Sequence, residues 1–264
     1  MKEKMIPIHT KELKPGVALI TGGAKRIGKE ISKNLAYDGW KVIIHYNTNS
    51  IAAKNLKNQI IKRKGKAAII KCDLNNNNSV KDLIKKSKKK FGNISLLINN
   101  ASKFENDNIK NLNLESWESH NNINLKAPLI LSRDFNNQLR KNTPGLIINI
   151  IDQRIFFPNP DFISYTSSKQ SLMWLTQTLA QALSPQIRVC AIGPGPTLQG
   201  ARQSKKDFEN QCLSTPLKVG SNPGEIYQAV KFIINIPSFT GQMITLDGGE
   251  HLDWIKKENK NFKD

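Results

Sequence analysis

Tyr165 and Lys169 stand four residues apart in a run, 163–183, whose pattern predicts a helix. That spacing puts both side chains on one helix face. An ammonium beside a phenol favours the phenolate. The pair therefore predicts a tyrosine pKa pulled below its usual value of about 10 and a side chain able to pass a proton near neutral pH. Asp152 closes the apolar run 145–151 ahead of this helix. A carboxyl group at a strand end can exchange protons, and it can equally cap a turn. A lone Tyr-x-x-x-Lys recurs by chance in a lysine-rich chain, so its meaning depends on the elements that position it.

Those elements begin at Gly16–Ile20, a short apolar run that predicts a buried strand. ThrGlyGlyAlaLysArgIleGly (21–28) follows, then a helical pattern through Ile27, Ile31 and Leu35, ended by AspGlyTrp (38–40) before a second strand, 41–46. A strand–turn–helix–strand unit with glycines in its first turn lets the backbone approach a pyrophosphate that faces the helix N-terminus. Thr21, Gly22, Ile27 and Gly28 would form that turn, with Arg26 where a middle glycine often stands. A site that prefers NAD carries an acid at the end of the second strand, for the ribose 2′-hydroxyl. Here the residues are His45, Tyr46, Asn47, Thr48, Asn49 and Ser50. With no carboxylate to repel a 2′-phosphate, and with Lys25 and Arg26 to add charge, the reading is NADPH.

Further strands are predicted at 67–71, 94–99, 145–151, 187–192 and 241–249, and further helices at about 79–91, 114–140 and 163–183. Asp73, in CysAspLeu at 72–74, suits either an adenine edge or a turn cap. Function in an open parallel sheet gathers at the C-terminal strand ends. Asn99, Ala101, Ser102 and Phe104 are therefore placed to line a crevice, Phe104 as core packing or as a stacking surface. Asn124 lies on an otherwise apolar helix stripe and must find partners. GlyProGlyProThr (193–197) is a rigid turn at another strand end, and 198–219 reads as a lid or substrate loop. Asn222, Pro223 and Glu225 form a helix start with a capping box.

The chain has 264 residues and a formal charge of +19. Its lysines are spread along the whole length, with no basic stripe interleaved with aromatics. A solvated surface is expected rather than a nucleic-acid face, and the KKSKKK run (85–90) reads as the wet side of a helix. Cys72, Cys190 and Cys212 are too few and too scattered for a disulfide framework, and neither they nor the histidines show metal-ligand spacing. No apolar run approaches the ~20 residues of a membrane span, and the start lacks a signal-peptide core. The expectation is one cytoplasmic domain at 14–254, with no metal and no membrane partner, between an N-terminal extension (1–13) and a polar tail (255–264).

Seven motifs in order resemble the short-chain dehydrogenase/reductase family: ThrGly at 21–22 with Gly28, AspLeu at 73–74, AsnAsnAla at 99–101, Asn124, Tyr165-x-x-x-Lys169, GlyProGly at 193–195 and AspGlyGly at 247–249. The fold implied is α/β, a single Rossmann-type doubly wound parallel sheet of about seven strands with helices on both faces. One position departs. Where the family usually has serine, thirteen residues before the tyrosine, this chain has Asp152. Pteridine reductases carry Asp there, Lys-Arg in the glycine turn (Lys25, Arg26), His-Tyr after the second strand (His45, Tyr46) and Asn-Asn-Ala-Ser-x-Phe (99–104). All four features are present, so the chain looks like a pteridine reductase, close to the dihydromonapterin and dihydrofolate reductases of this fold.

The resemblance implies an NADPH site that also draws on Leu74, Asn100, Ala101, Ser102, Tyr165, Lys169, Pro194 and Gly195. It implies a pterin or folate lying between Phe104 and the nicotinamide, with Arg26, Ser102 and Pro194 around it. Tyr165 and Asp152 would supply protons, Lys169 would orient the ribose, and Asn124 would support Lys169 through water. A carboxyl group that relays a proton suits a ring nitrogen, whereas a carboxylate would repel a carbonyl oxyanion. The resemblance also implies a homotetramer, with the helices at 114–140 and 163–183 paired across one interface. The competing readings are a short-chain carbonyl reductase of ketoacyl or sugar substrates and a non-catalytic nucleotide sensor.

Overall fold

The computed structural model describes residues 13–157, 159–200 and 203–252. The expected N-terminal extension (Leu13 apart) and the polar tail lie outside them. Seven strands form one sheet in the order β3-β2-β1-β4-β5-β6-β7, and every neighbouring pair is parallel. They are β1 (Val17–Ile20), β2 (Lys41–Tyr46), β3 (Lys66–Lys71), β4 (Leu96–Asn99), β5 (Gly145–Ile150), β6 (Ile187–Pro194) and β7 (Met243–Leu246). The helices are α1 (Arg26–Tyr37), α2 (Ser50–Lys62), α3 (Asn77–Lys81), α4 (Leu83–Phe91), α5 (Leu114–Asn121), α6 (Ala127–Gln138), α7 (Ile163–Leu183), α8 (Lys205–Leu213) and α9 (Pro223–Asn235).

Alternation along the strands feeds two cores. Ala18, Ile20, Val42 and Ile44 point to one face, under Ile31 and Leu35 of α1, Leu56 of α2 and Val230 of α9. Val17, Leu19 and Ile43 point to the other, under Leu83 of α4 and Leu131 and Phe135 of α6. Covering both faces is why the strands read as unbroken apolar runs. The chain steps outward from β1 to β3 and returns at β4, so strand order reverses between β1 and β4. A crevice opens at their C-terminal ends.

The structure departs from three sequence expectations. The helix expected at 114–140 is interrupted by a π-helical segment, Asn122–Lys126, between α5 and α6. That wider turn carries Asn124, fully buried, out of the apolar stripe and toward the loop after β4. The helix expected at about 79–91 divides at Asp82 into α3, capped by the Asn76 side chain, and α4. The segment 198–219 contains α8, opened by a reciprocal Ser204–Asp207 capping box. None of the residues of α8 is buried, so no apolar stripe announces it. Elsewhere the expected local chemistry is present. The lysines of 85–90 face solvent while Leu83, Ile84 and Ser87 are buried, and Asn222 and Glu225 close the capping box of α9. No helix among the described residues is long and apolar enough to cross a membrane.

Candidate functional site

The turn between β1 and α1 is fastened from below and from the side. Thr21 Oγ1 accepts the amides of Asn100 (2.9 Å) and Ala101 (3.0 Å), while Asn100 Nδ2 donates to the Thr21 carbonyl (2.9 Å). Gly22 sits at φ +59°, where L side chains are disfavoured. A Cβ on Gly28 would lie 2.3 Å from the Gly22 carbonyl oxygen, so only glycine lets the helix close on the turn. Arg26 also adopts a left-handed backbone, φ +51°. Its guanidinium donates to the carbonyls of Gln199 (2.8 Å) and Leu198 (3.1 Å), joining the turn to the loop after β6.

His45 lies beneath this turn. Its Nδ1 accepts the Gly22 amide (3.0 Å), its carbonyl accepts the Gly23 amide (3.0 Å), and its Nε2 is 2.9 Å from the Cys72 carbonyl. Those partners assign a neutral ring with the proton on Nε2. Burial pushes its pKa below the ordinary 6.5 and so favours that form. The residue expected at the cofactor is thus a prop for the turn that would hold it.

Above the turn is a cavity of about 660 Å³ running along the strand ends. Gly22, Lys25, Arg26, Ile27, Gly28, Tyr46 and Asn47 line one side, and Asn100, Ala101, Ser102, Phe104, Asp152, Tyr165, Lys169, Pro194 and Gly195 the other. The structure brings these expected site residues together. Others stand elsewhere. Thr21 and Asn99 are buried behind the lining, Asn99 donating to Asn149 Oδ1 (2.8 Å). Asp73 takes the turn role, accepting the Asn75 amide (3.0 Å), and Leu74 packs into the core under α4. Thr197, in the strand-end turn 193–197, and Leu198, at the start of the expected substrate loop, also line the cavity, as does Arg154, which sequence reading did not single out. Thr197 and Leu198 follow GlyProGly at 193–195 after Pro196, a signal that was available.

The two proton-bearing groups differ from expectation. Tyr165 is buried and its hydroxyl donates to Asp152 Oδ2 at 2.6 Å. Burial first, and then the adjacent Asp152 carboxylate, hold the phenol well above its usual range. The expected lowering by Lys169 is overturned. Lys169 Nζ donates to the Ile150 carbonyl (2.9 Å) and lies 5.7 Å from the centre of the Tyr165 ring, away from the hydroxyl. Burial pushes the Lys169 ammonium down to about 8, opposed by Asp152. Asp152 Oδ1 accepts the Arg154 amide (2.9 Å), so both carboxylate oxygens are engaged.

Asn124 was expected to support Lys169 through water. Its four hydrogen-bonding positions instead have protein partners. Oδ1 lies 2.8 Å from the Lys103 amide and 3.2 Å from Ser102 Oγ, and Nδ2 donates to the Lys103 carbonyl and to Ser168 Oγ, both at 3.0 Å. It is a positioning residue that ties the loop after β4 to α7. Phe104 resolves its two readings toward the cavity. It is 43 % exposed, stacked on Phe162 with ring centres 5.0 Å apart, and meets Tyr165 edge-on at 4.6 Å.

The arrangement can bind a dinucleotide and protonate what lies beside it. The close approach at Gly22 and Gly28 leaves room for a pyrophosphate, and no carboxylate lines the cavity at the end of β2. Among the described residues, no group of three or more His, Cys, Asp or Glu side chains could hold a metal ion.

Residues 16–210 match the family model described as short chain dehydrogenase. A 3-oxoacyl-[acyl-carrier-protein] reductase of Synechocystis is 29 % identical, the match covering 88 % of this chain and 96 % of that one. An uncharacterized oxidoreductase of Thermotoga maritima is 31 % identical over 92 % and 98 % of the two chains. Among solved structures, the FolM alternative dihydrofolate reductase 1 of Brucella canis, complexed with NADP, superposes with a TM-score of 0.88 at 44 % identity, covering 90 % of this chain and 94 % of that one. Its Brucella suis counterpart, also with NADP, gives the same score and identity.

Proposed function

The chain belongs to the short-chain dehydrogenase family, and we propose that it reduces a ring C=N bond of a dihydropterin or dihydrofolate. That it is an NADP(H)-dependent oxidoreductase accords with the family and with the NADP-bound relatives. The observation that carries the pterin reading is the Asp152 carboxylate, 2.6 Å from the Tyr165 hydroxyl where a carbonyl reductase needs a neutral donor. The 44 % identity to the Brucella dihydrofolate reductases supports it.

NADPH, when bound, supplies the hydride; Gly22, Gly28, Lys25, Arg26 and Asn47 are the residues placed to hold its phosphates and ribose, and Lys169 its nicotinamide ribose. The chain's own chemistry is proton delivery and orientation. Phe104 offers a flat face to a flat ring. Tyr165 hands its proton to the ring nitrogen, and the Asp152 carboxylate, after taking a proton from solvent, passes it to the tyrosine oxygen through their short hydrogen bond. This relay needs no free phenolate, which agrees with a tyrosine held above its usual range.

The second reading is reduction of a ketoacyl thioester, favoured by the similarity to the Synechocystis reductase. NADPH consumption measured side by side on a dihydropterin, dihydrofolate and an acetoacetyl thioester separates the two. Turnover of the pterin or folate is expected, and turnover of the thioester alone would overturn the pterin reading.

The homotetramer remains part of the proposal. Leu129 of α6 and Trp174 of α7 are exposed, 43 % and 73 %, on the helices expected to pair between subunits. Light scattering at micromolar concentration should give four times the mass of the chain, and a monomer would end this part of the reading.

A further inference from the structure

Arg154 has no part in the proton relay, yet its side chain lies in the cavity wall. It belongs to the 3-10 turn Gln153–Phe156 that follows β5. In the sheet, β5 stands two strands from β1, about 10 Å away, so Arg154 is not at the phosphate turn. Its guanidinium rests beside two aromatic rings, Cζ lying 5.3 Å from the Phe104 centre and 5.2 Å from the Phe162 centre. The nearest anion is Asp152, whose Oδ2 is 3.8 Å from Nη1, beyond hydrogen-bonding distance. Asp152 cannot readily close that gap, because Tyr165 and the Arg154 amide already hold its oxygens. The side chain is 24 % exposed. A half-buried guanidinium is thus fixed over a stacking surface with its fork of N–H donors uncommitted to Asp152.

Planar forks of this kind take carboxylates and phosphates bidentately. We propose that Arg154 is a specificity-determining residue that selects substrates whose side chain, beyond the flat ring stacked on Phe104, ends in a carboxylate or a phosphate. The proposal refines the pterin reading and rests on it for the identity of the ring. Arg154 is the cation in the wall beside Phe104, whereas Lys25 and Arg26 stand at the turn after β1.

The test uses the wild-type chain, Arg154→Gln and Arg154→Lys with three substrates: a 7,8-dihydropterin with a neutral hydroxyalkyl tail, the phosphate ester of that tail, and dihydrofolate with its carboxylates. The preference in kcat/KM for an acidic over the neutral substrate should fall about tenfold or more in Arg154→Gln, the loss expected for a charge-assisted hydrogen bond. Arg154→Lys should restore part of it, and added salt should erode the preference in the wild type and in Arg154→Lys but not in Arg154→Gln. Which acidic substrate suffers identifies the group as phosphate or carboxylate. An equal loss on acidic and neutral substrates would overturn the proposal and leave Arg154 as a neighbour of Asp152 alone. Should the wild type turn over no pterin, that reading fails by itself. The same variants are then compared on acetoacetyl-coenzyme A and its uncharged N-acetylcysteamine analogue, where an unchanged ratio overturns the anion site.

Discussion

Asp152→Ser is expected to lower kcat for dihydropterin reduction by about a hundredfold or more, the scale of a lost proton donor. The carboxylate relays a solvent proton to Tyr165, and a serine hydroxyl in its place can hydrogen-bond but is far too weak a base to take that proton up near neutral pH. The same substitution has a second, signed consequence. Lys169, buried and held at about 8, is kept protonated in part by the Asp152 charge. Activity that needs the ammonium falls as pH rises through that value. Removing the carboxylate removes an attraction for the proton, so the alkaline limb of the kcat/KM profile should move to lower pH. A limb that stays in place, or moves upward, would separate Lys169 from Asp152. Retained pterin turnover in this variant would remove Asp152 from the chemistry altogether.

Tyr165→Phe should reduce kcat by about two to four orders of magnitude, since it deletes the hydroxyl hydrogen-bonded to Asp152 in the cavity wall. The ring itself can stay, edge-on to Phe104, so the packing change is small. The deletion also strands Asp152 Oδ2 without its 2.6 Å donor, and single-turnover hydride transfer, followed by NADPH absorbance, isolates the chemical step. A loss of less than about tenfold would mean that another donor, water included, protonates the ring nitrogen.

Much of this was legible in the sequence because it rests on local pattern. The strands announce themselves since both faces of the sheet are covered, and Asn222 with Glu225 marks the start of α9 within four residues. What was not legible depends on direction across long separations. Tyr165 and Lys169 do share a helix face, but the lysine's proton is spent on the Ile150 carbonyl, nineteen residues away in sequence. The phenol's character is set by its burial and then by a carboxylate that comes from the end of β5. His45 reads as a cavity residue until the structure turns its ring under Gly22. Arg154 owes its place to a short turn stabilised by the Asp152 side chain, for which composition and periodicity carry no sign. Ser204 and Asp207, by contrast, held a visible capping signal for α8 that an apolar-periodicity criterion passes over.

Asn124 leaves one mechanical consequence. Its amide has two donors and two acceptor positions, and all four are clamped, on Ser102 and Lys103 to one side and on Ser168 to the other. No terminal is left to slacken. The strap bearing Phe104 and the helical turn bearing Tyr165 and Lys169 are therefore joined through one side chain, which makes the stacking wall and the proton donor neighbours on a shared anchor.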